Sequence, residues 1–362
     1  MNHLDPTSTG LTLGVAKRAT ASYLSALFAA ALTACGGGGG GGSSADGPAP
    51  PPPTSSPIPA PPAVVIAPEG STLAQPIYAT DSAEMAIFTR INEFRAACGF
   101  QPYKQNTILD QSQKKHADYI FANDRIIVDY EVPGKPGFAG VTPLDRAIPF
   151  GWPKELWVGG GNAGIYTVPA RSDYTYGINI ADAWATGVYH QPIIATPADL
   201  AGIGLVRTEW QGYPHLMGGI ALSLSRSDAA KTGDPAAMPL TFPCQGLSNV
   251  PYIGDSETPT PPNTGTSAWG TPQWGTPVTV IGNLTDLVNI TSASISDSST
   301  AVPMNIINSA NDVTTLTPPY GAVAYPKEPL QPNTQYLVNL AGTINGKAFT
   351  RTFTFTTGAP IN

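Results

Sequence analysis

The stretch INEFRAACGFQPYKQNTILDQSQKKHADYIFAND, residues 91–124, decides the fold of the first half of the chain. Apolar residues recur at helical spacing on both sides of a Gly-Phe-Gln-Pro break, which is typical of two amphipathic helices joined by a short turn. The first helix is predicted over residues 83–99, where Gly99 is the expected stop, and the second over residues 107–124. A helical pair is therefore expected at the start of the folded region.

Downstream of this pair, the pattern changes from helix to strand. A third, shorter helix is predicted over residues 178–190. Two apolar stretches punctuated by glycine follow at 199–210 and 215–225, with a Gly-Tyr-Pro turn between them, so we expect an antiparallel pair of strands. Helices followed by strands in this order predict an α+β fold built in layers.

The chain changes character again in its last quarter. After a linker rich in Pro and Thr at 245–266, β-branched and aromatic runs dominate and no helix is evident. In FTRTFTFTT, residues 349–357, large apolar and polar side chains alternate, which is typical of a half-buried strand. Asn345-Gly346 predicts a type I′ hairpin turn. These features predict a small all-β sandwich over residues 267–359.

The composition of the chain limits its partners. The 362 residues carry a net charge of −7, and only 12% of them are charged, against roughly 25% in typical soluble domains. The sequence contains no cluster of Lys and Arg, so nucleic acid is not an expected partner.

Residues 1–35 predict export. A Lys-Arg pair precedes an apolar run at 19–35, which is shorter than the ~20 apolar residues that span a bilayer. The run ends in Leu-Thr-Ala-Cys, which resembles a bacterial lipobox, so the segment is interpreted as a lipoprotein signal peptide that anchors the chain to a membrane at Cys35. An ordinary signal peptide with a chance cysteine is the alternative. A disordered tether rich in Gly and Pro is predicted over 36–80, and the expected location is the outer membrane or the cell surface of a bacterium.

Two cysteines remain for the folded region, Cys98 and Cys244. In an exported chain, such a pair predicts one disulfide bond. In the chain-entropy model, a bond that closes so long a loop stabilises the fold by ~4–5 kcal/mol. Two buried free thiols are the alternative.

The order and spacing of the motifs in the first half resemble the CAP superfamily, also called SCP domains, which includes cysteine-rich secretory proteins, antigen 5 and pathogenesis-related proteins. The matching positions are Asn92, Arg95, Gly99, Pro102, Asn106, Leu109 and His116-Ala117. The resemblance covers residues 84–244 and implies an α-β-α sandwich. Residues 330–358 are similar to bacterial Ig-like domains on surface proteins, which implies a small Ig-like sandwich that acts as a spacer or adhesion module.

The cleft of the CAP family holds two histidines and two acids, and the resemblance transfers only part of that set. His190, six residues after a tryptophan, matches the last histidine. The first histidine position falls on Asp129, and Glu131 is a further acid nearby. The glutamate of the family's Gly-Glu-Asn motif falls on Gly161, next to Asn162, and the second acid has no clear match. The resemblance thus implies a degenerate cleft in which Asp129 and His190 face each other and Gly161 leaves extra room.

The side chains of this cleft favour binding over catalysis. A catalytic zinc takes three protein ligands and an open position, whereas the cleft offers His190 and Asp129. No cofactor is therefore expected, and a weakly held divalent cation at these two residues is the alternative. The sequence has no Gly-x-Ser-x-Gly nucleophile motif, and loss of the glutamate at Gly161 removes an acid–base pair. The leading hypothesis is a non-catalytic binding module for a lipid, glycan or protein; a metal-dependent hydrolase and a surface spacer with a vestigial cleft are the alternatives.

Two further histidines and a region rich in aromatic residues complete the candidates. His116 is interpreted as a partly buried residue of the second helix, and His215 as an exposed strand end. Tyrosines and tryptophans are dense between residues 150 and 210. Two interpretations are open: these side chains line a groove for a sugar or a lipid, or they pack in the core and loops as aromatic residues ordinarily do.

Overall fold

Helices and strands mix in the first half of the chain, and the described part of the second half contains strands. The computed structural model describes residues 63–228, 239–254, 256–264 and 272–359, which belong to one compact unit. The helices are α1 (Ala83–Ala97), α2 (Thr107–Ala122), α3 (Pro143–Ala147), α4 (Asp173–Thr186) and α5 (Pro192–Ala195). The strands are β1 (Lys104–Gln105), β2 (Val158–Tyr166), β3 (Leu200–Trp210), β4 (Tyr213–Ser223), β5 (Leu240–Phe242), β6 (Val278–Ile281), β7 (Val288–Ser296), β8 (Ala301–Val302), β9 (Met304–Asn308), β10 (Gly321–Pro326), β11 (Gln335–Ile344) and β12 (Lys347–Thr356). The predicted mixed α+β class is confirmed.

Capping residues explain where the long helices begin. At the start of α1, the Ser82 side chain accepts a hydrogen bond at 3.1 Å from the backbone N–H three residues further on. Asn106 accepts from two backbone N–H groups at the start of α2, and Ser172 caps α4 in the same way. Because of the Ser172 cap, α4 begins before residue 178, which the sequence pattern gives as its start.

The first sheet has the strand order β1-β3-β4-β2, in which only the pairing of β1 with β3 is parallel. The predicted hairpin of β3 and β4 is present, with Trp210 paired to Tyr213 at its tip. Helix α2 packs so closely on one face that a Cβ atom at Gly202 or Gly204 would collide with the helix backbone. Helices α1 and α4 pack together on the other face, so the sheet lies between two helical layers.

Arg95 is almost completely buried and ties α1 to the region around α5. Its guanidinium donates to the backbone carbonyls of Ile194, Thr196 and Ala198 at 2.6, 2.9 and 2.8 Å. It also lies 3.7 Å from the centre of the Tyr103 ring. Burial lowers the pKa of Arg95, and the carbonyl oxygens satisfy its donors in place of water. This buried arginine therefore fixes the chain that follows His190.

Two four-stranded sheets pack together, with strand orders β5-β6-β10-β9 and β12-β11-β7-β8, and all of their strands except β5 come from the second half of the chain. Their core is formed by apolar side chains from both sheets, including Val278, Val280, Ala322, Val338, Leu340 and Phe353. Asn345 and Gly346 join β11 to β12 with φ values of 50° and 79°. Positive φ at both central residues is what a type I′ turn requires, so the predicted hairpin is confirmed.

The two halves of the chain share a sheet and a buried hydrogen-bond network. Strand β5, which precedes the predicted linker, pairs with β6 of the second half. Gln191 accepts a hydrogen bond from the Thr279 hydroxyl at 2.5 Å, and Trp274 Nε1 donates to the carbonyl of Thr186 at 2.7 Å. The described residues of the segment predicted as a linker, 245–266, therefore connect two bodies that are packed against each other.

The predicted pairing of Cys98 with Cys244 is present, with the two sulfur atoms 2.10 Å apart. The bond joins the end of α1 to the chain just after β5. It thus fixes the first helix beside the strand that enters the second half.

Residues 63–80, predicted as the end of the tether, pack on the first half of the chain instead. The backbone N–H of Ala67 donates to the carbonyl of Ser225 at 2.8 Å, and Tyr78 donates to Asp110 at 2.5 Å. The predicted signal peptide and the rest of the tether lie outside the described residues. None of the helices in the described ranges has the length and apolar character needed to cross a membrane.

Candidate functional site

His190 lies in the turn between α4 and α5, where a carboxylate from the connecting segment holds its ring. Glu257 accepts a hydrogen bond from His190 Nδ1 at 2.6 Å. The same carboxylate accepts the backbone N–H groups of Val188, Tyr189 and His190, each at 2.8 Å. The Glu257 side chain is only 1% exposed. A buried negative charge with these four donors around it therefore fixes both the turn and the imidazole.

Glu257 also decides which nitrogen of His190 is available. Nδ1 carries a hydrogen atom toward Glu257, because an ionised carboxylate only accepts. Nε2 has no hydrogen-bond partner among the described residues, and 20% of the side chain is exposed. Burial alone would lower the pKa of His190, but the hydrogen bond and charge of Glu257, with the charge of Asp129, raise the pKa above its ordinary value. Nε2 is therefore the nitrogen of this ring that is left without a protein partner among the described residues, and it is a hydrogen-bond donor whenever the ring is charged.

Gly161 lies on β2, an edge strand of the first sheet, directly beside His190. A Cβ atom added at Gly161 would lie 2.8 Å from Ile193 Cδ1 and 3.0 Å from His190 Cδ2. The expectation of extra room at this position is therefore wrong, because Ile193 and the imidazole occupy the volume that a side chain would need. The glycine lets the strand approach the ring.

Asn162 points to the opposite face of β2 from Gly161, because successive residues of a strand alternate. Its amide nitrogen donates to Asp129 Oδ1 at 2.9 Å, and its amide oxygen accepts from Gln113 Nε2 at 2.7 Å. Asp129 is otherwise exposed. Asp129 and His190 thus approach β2 from different faces. No hydrogen bond joins them among the described residues, so they interact through charge alone.

Glu131, expected in the cleft, lies instead in a buried cluster with His116. Glu131 Oε1 is 2.9 Å from His116 Nδ1, and Oε2 accepts the backbone N–H of Ala139 at 2.6 Å. His116 Nε2 is 2.7 Å from the carbonyl oxygen of Val128, to which it donates. His116 is completely buried rather than partly buried as predicted. Because its oxygens form internal bonds, Glu131 holds the segment 128–141 and is not available to a ligand.

Two side chains of this site, His190 and Asp129, are possible metal ligands. In the part of the chain that the structure describes, no group of three or more His, Cys, Asp and Glu side chains is placed to hold a metal ion. His190 and Asp129 supply two donors from different faces of β2, whereas a catalytic zinc takes three protein ligands. Cys35, the expected lipidation site, lies outside the described residues.

Glu257 is the residue of this site that sequence patterns do not reveal. It lies in Ser-Glu-Thr-Pro, inside a segment whose prolines and threonines are typical of a linker. Its contact with His190 joins residues 67 positions apart, and no local periodicity reports such a contact. The only signal is a carboxylate in a weakly charged segment, which many linkers also contain.

No protein-family model matches this chain, and no curated protein sequence matches it. The geometry of the site and the motifs of the sequence are therefore the basis for a functional assignment.

Proposed function

We propose that this chain is an exported protein that carries a CAP-like α-β-α sandwich over 84–244 and an Ig-like sandwich over 267–359. The first assignment is supported by a sheet between two helical layers and by Arg95, a motif position that is buried beside the candidate site. The second is supported by two packed sheets of antiparallel strands and by the Asn-Gly hairpin.

We also propose that Cys35 anchors the chain to a membrane through acyl groups. In a bacterial host fed with labelled palmitate, the wild-type chain should carry the label and sediment with membranes. Cys35→Ser should lose both properties. Label retained by Cys35→Ser would contradict the anchor.

The function proposed for the site is non-catalytic binding of a ligand at His190. The observation that carries this proposal is the oriented imidazole: Glu257 holds Nδ1, and Nε2 is left toward the partly open side. A charged imidazole offers a hydrogen-bond donor there, so the ligand atom that meets it is an acceptor. Hydroxyl and carbonyl oxygens of a lipid headgroup, a glycan or a peptide have this chemistry.

The same geometry argues against acid–base catalysis at this position. An acid–base pair needs two titratable groups within reach of the same reacting atom. Glu257 is buried on the Nδ1 side of His190, so it does not reach an atom bound at Nε2. The position of the family's glutamate is Gly161, which has no side chain. Asp129 is held by Asn162 on the other face of the strand.

The binding proposal is tested by titrating the full chain with a panel of short-chain phospholipids, a sterol and cell-wall glycan fragments. The imidazole Cε1–H signals in NMR spectra report on the site, and we expect a ligand to shift His190 and leave the buried His116 unmoved. His190→Ala should weaken binding by about tenfold or more. Asp129→Asn should weaken it less, with Asp118→Asn on the exposed side of α2 as the matched control. If no member of the panel shifts His190, and the double variant at residues 129 and 190 behaves as the wild type, the cleft is a spacer element.

A metal-dependent hydrolase is the second candidate, and one observation favours it. A histidine that binds a metal through one nitrogen usually donates from the other to a carboxylate, as His190 does to Glu257. Titration of the full chain with Zn²⁺ and Ca²⁺, compared with His190→Ala, separates the two candidates. Stoichiometric binding that depends on His190 would support the hydrolase. No binding by the wild type would remove its main support.

A further inference from the structure

A second group of side chains gathers where β2 ends, beside the tip of the β3–β4 hairpin. This group, the Arg125 cluster, consists of Phe121, Arg125, Tyr166, Trp210 and His215. Helix α2 and the turn after it supply the first two members, and strands β2, β3 and β4 supply the others. Among the described residues, no hydrogen bond, ion pair or ring contact joins this cluster to His190 or Glu257. An inference from the cluster therefore does not rest on the proposed function.

The guanidinium of Arg125 forms no hydrogen bond or ion pair with any described residue, although its backbone N–H donates to the carbonyl of Ile120 at 3.0 Å. Its guanidinium carbon lies 5.2 Å from the ring centre of Phe121 and 5.6 Å from that of Trp210. Its Nε atom is buried without a hydrogen-bond partner. By contrast, Arg90 and Arg207 are each paired with carboxylates. Arg125 is therefore a cation that two aromatic rings hold in place and that no described carboxylate neutralises.

His215 adds a second unmatched polar atom to the cluster. Its Nδ1 is buried without a hydrogen-bond partner, and its ring meets Tyr166 and Trp210 edge-on, with ring centres 5.9 and 6.5 Å apart. Burial, and then the charge of Arg125, lower the pKa of His215, so its ring is neutral near pH 7. The cluster thus carries one positive charge, which one carboxylate neutralises, whereas a doubly charged phosphate would bring a second negative charge that has no partner in this partly buried site.

The backbone that carries Arg125 is strained. Asp124 and Arg125 have φ values of 62° and 60°, in the left-handed region that side-chain-bearing residues rarely adopt. Such conformations persist where the surrounding structure enforces them, and they concentrate at binding and active sites. Here the strained turn places the guanidinium against Trp210.

The three large aromatic side chains of the cluster are partly exposed to solvent. Phe121 is 43% exposed, Trp210 39% and Tyr166 44%. Partly exposed aromatic rings pack well on apolar C–H faces, and a guanidinium binds a carboxylate through two parallel hydrogen bonds. A carboxylated sugar ring combines both features. We propose that the Arg125 cluster is a binding site for such a ring, with the carboxylate on Arg125 and a C–H face on Trp210.

Titration of the full chain with sodium glucuronate tests this site. In ¹H–¹⁵N spectra, the Nε–H signal of Arg125 and the indole N–H signal of Trp210 should shift and saturate. Glucose, which has the ring but no carboxylate, and inorganic phosphate should each bind at least about tenfold more weakly. Arg125→Gln should reduce glucuronate affinity about tenfold or more. Arg226→Gln, at a surface arginine paired with Asp228, is the matched control and should leave the affinity unchanged.

Three results would overturn the proposal. Glucuronate that leaves the Arg125 signal unmoved would remove the site. Glucose that binds as tightly as glucuronate would show that no anion is recognised. Phosphate that binds more tightly would contradict the argument from a single charge. All three results come from titrations of the wild-type chain, so they can be obtained even if Arg125→Gln does not fold. They are also independent of the ligand panel at His190, because that panel tests a different site.

Discussion

Replacement of Glu257 should weaken the fold and change the charge state of His190, and the two effects are separable. In Glu257→Ala, three backbone N–H groups and His190 Nδ1 lose their shared acceptor. In Glu257→Gln, one acceptor oxygen remains, but the negative charge is gone and the new amide hydrogens face other donors. The first change mainly tests stability, and the second mainly tests electrostatics.

The size of the first effect follows from the burial of Glu257. Removal of one partner of a buried charged pair costs ~3–5 kcal/mol, because the other partner is left unmatched. Water reaches part of the site, since the His190 side chain is 20% exposed, so we expect the lower part of that range for Glu257→Ala, ~3–4 kcal/mol in the free energy of unfolding. Glu257→Gln keeps some of the hydrogen bonds and should cost about half as much, ~1.5–2 kcal/mol.

The effect on pH dependence has a definite sign. The pKa of His190 is raised in the folded chain. A raised pKa contributes stability that is fully present below the unfolded value of about 6.5 and is lost as the pH rises through the folded value. Without the charge of Glu257, the pKa of His190 should fall, and this pH-dependent part of the stability should shrink.

Urea unfolding followed by circular dichroism measures the first effect, and an NMR titration of the His190 ring measures the second. Glu155→Ala, at an exposed carboxylate, is the control and should change the stability by no more than ~0.5 kcal/mol. A Glu257→Ala variant as stable as the control would show that Glu257 does not support the turn. A His190 ring that titrates in Glu257→Gln as it does in the wild type would show that the charge of Glu257 does not raise the pKa of His190.

Three further predictions concern other parts of the structure. Gly161→Ala places a methyl group against the His190 ring and should lower the stability by ~1–3 kcal/mol in urea unfolding; an unchanged midpoint would contradict the close approach. Burial alone would raise the pKa of Asp312, but hydrogen bonds from neighbouring threonines lower the pKa to about 2. The ionised Asp312 therefore stabilises the fold at pH values above the ordinary pKa of an aspartate, and this stabilisation is lost as the pH falls toward 2. Asp312→Asn should therefore lower the urea midpoint near neutral pH and have no effect in strong acid, whereas an equal loss at both would show that its charge is irrelevant. A thiol assay on the unfolded, unreduced chain should find neither Cys98 nor Cys244 free, and two free thiols there would contradict the disulfide.

The elements that the sequence predicts well are those fixed by nearby residues. Helices α1 and α2 follow from apolar spacing and from Ser82 and Asn106, which cap them within three residues. The β11–β12 hairpin follows from Asn345-Gly346, because both residues tolerate positive φ. In each case the decisive interaction spans one turn of chain, so it leaves a local pattern.

The parts that the sequence does not reveal are long-range. Strand β5 pairs with β6 across the segment that is typical of a linker, and Glu257 meets His190 from that same segment. Gly161 shows the limit in another way. The resemblance to the CAP family predicts that a glutamate is replaced by glycine at this position. Only the packing of Ile193 and His190 shows that the space beside Gly161 is filled. The proline and threonine content of residues 245–266 thus indicates an extended segment, but it does not indicate that the Glu257 carboxylate packs against His190.

The candidate site depends on both halves of the chain. His190 is held by Glu257, and the next residue, Gln191, bonds to Pro277 and Thr279 before and within β6. A fragment that ends at residue 245 keeps the positions of the CAP resemblance but loses all three of these partners. In such a fragment the pKa of His190 should fall toward or below its ordinary value, and ligands that need a charged imidazole should bind more weakly than to the full chain. A fragment whose His190 titrates like that of the full chain would show that the first half sets the site alone.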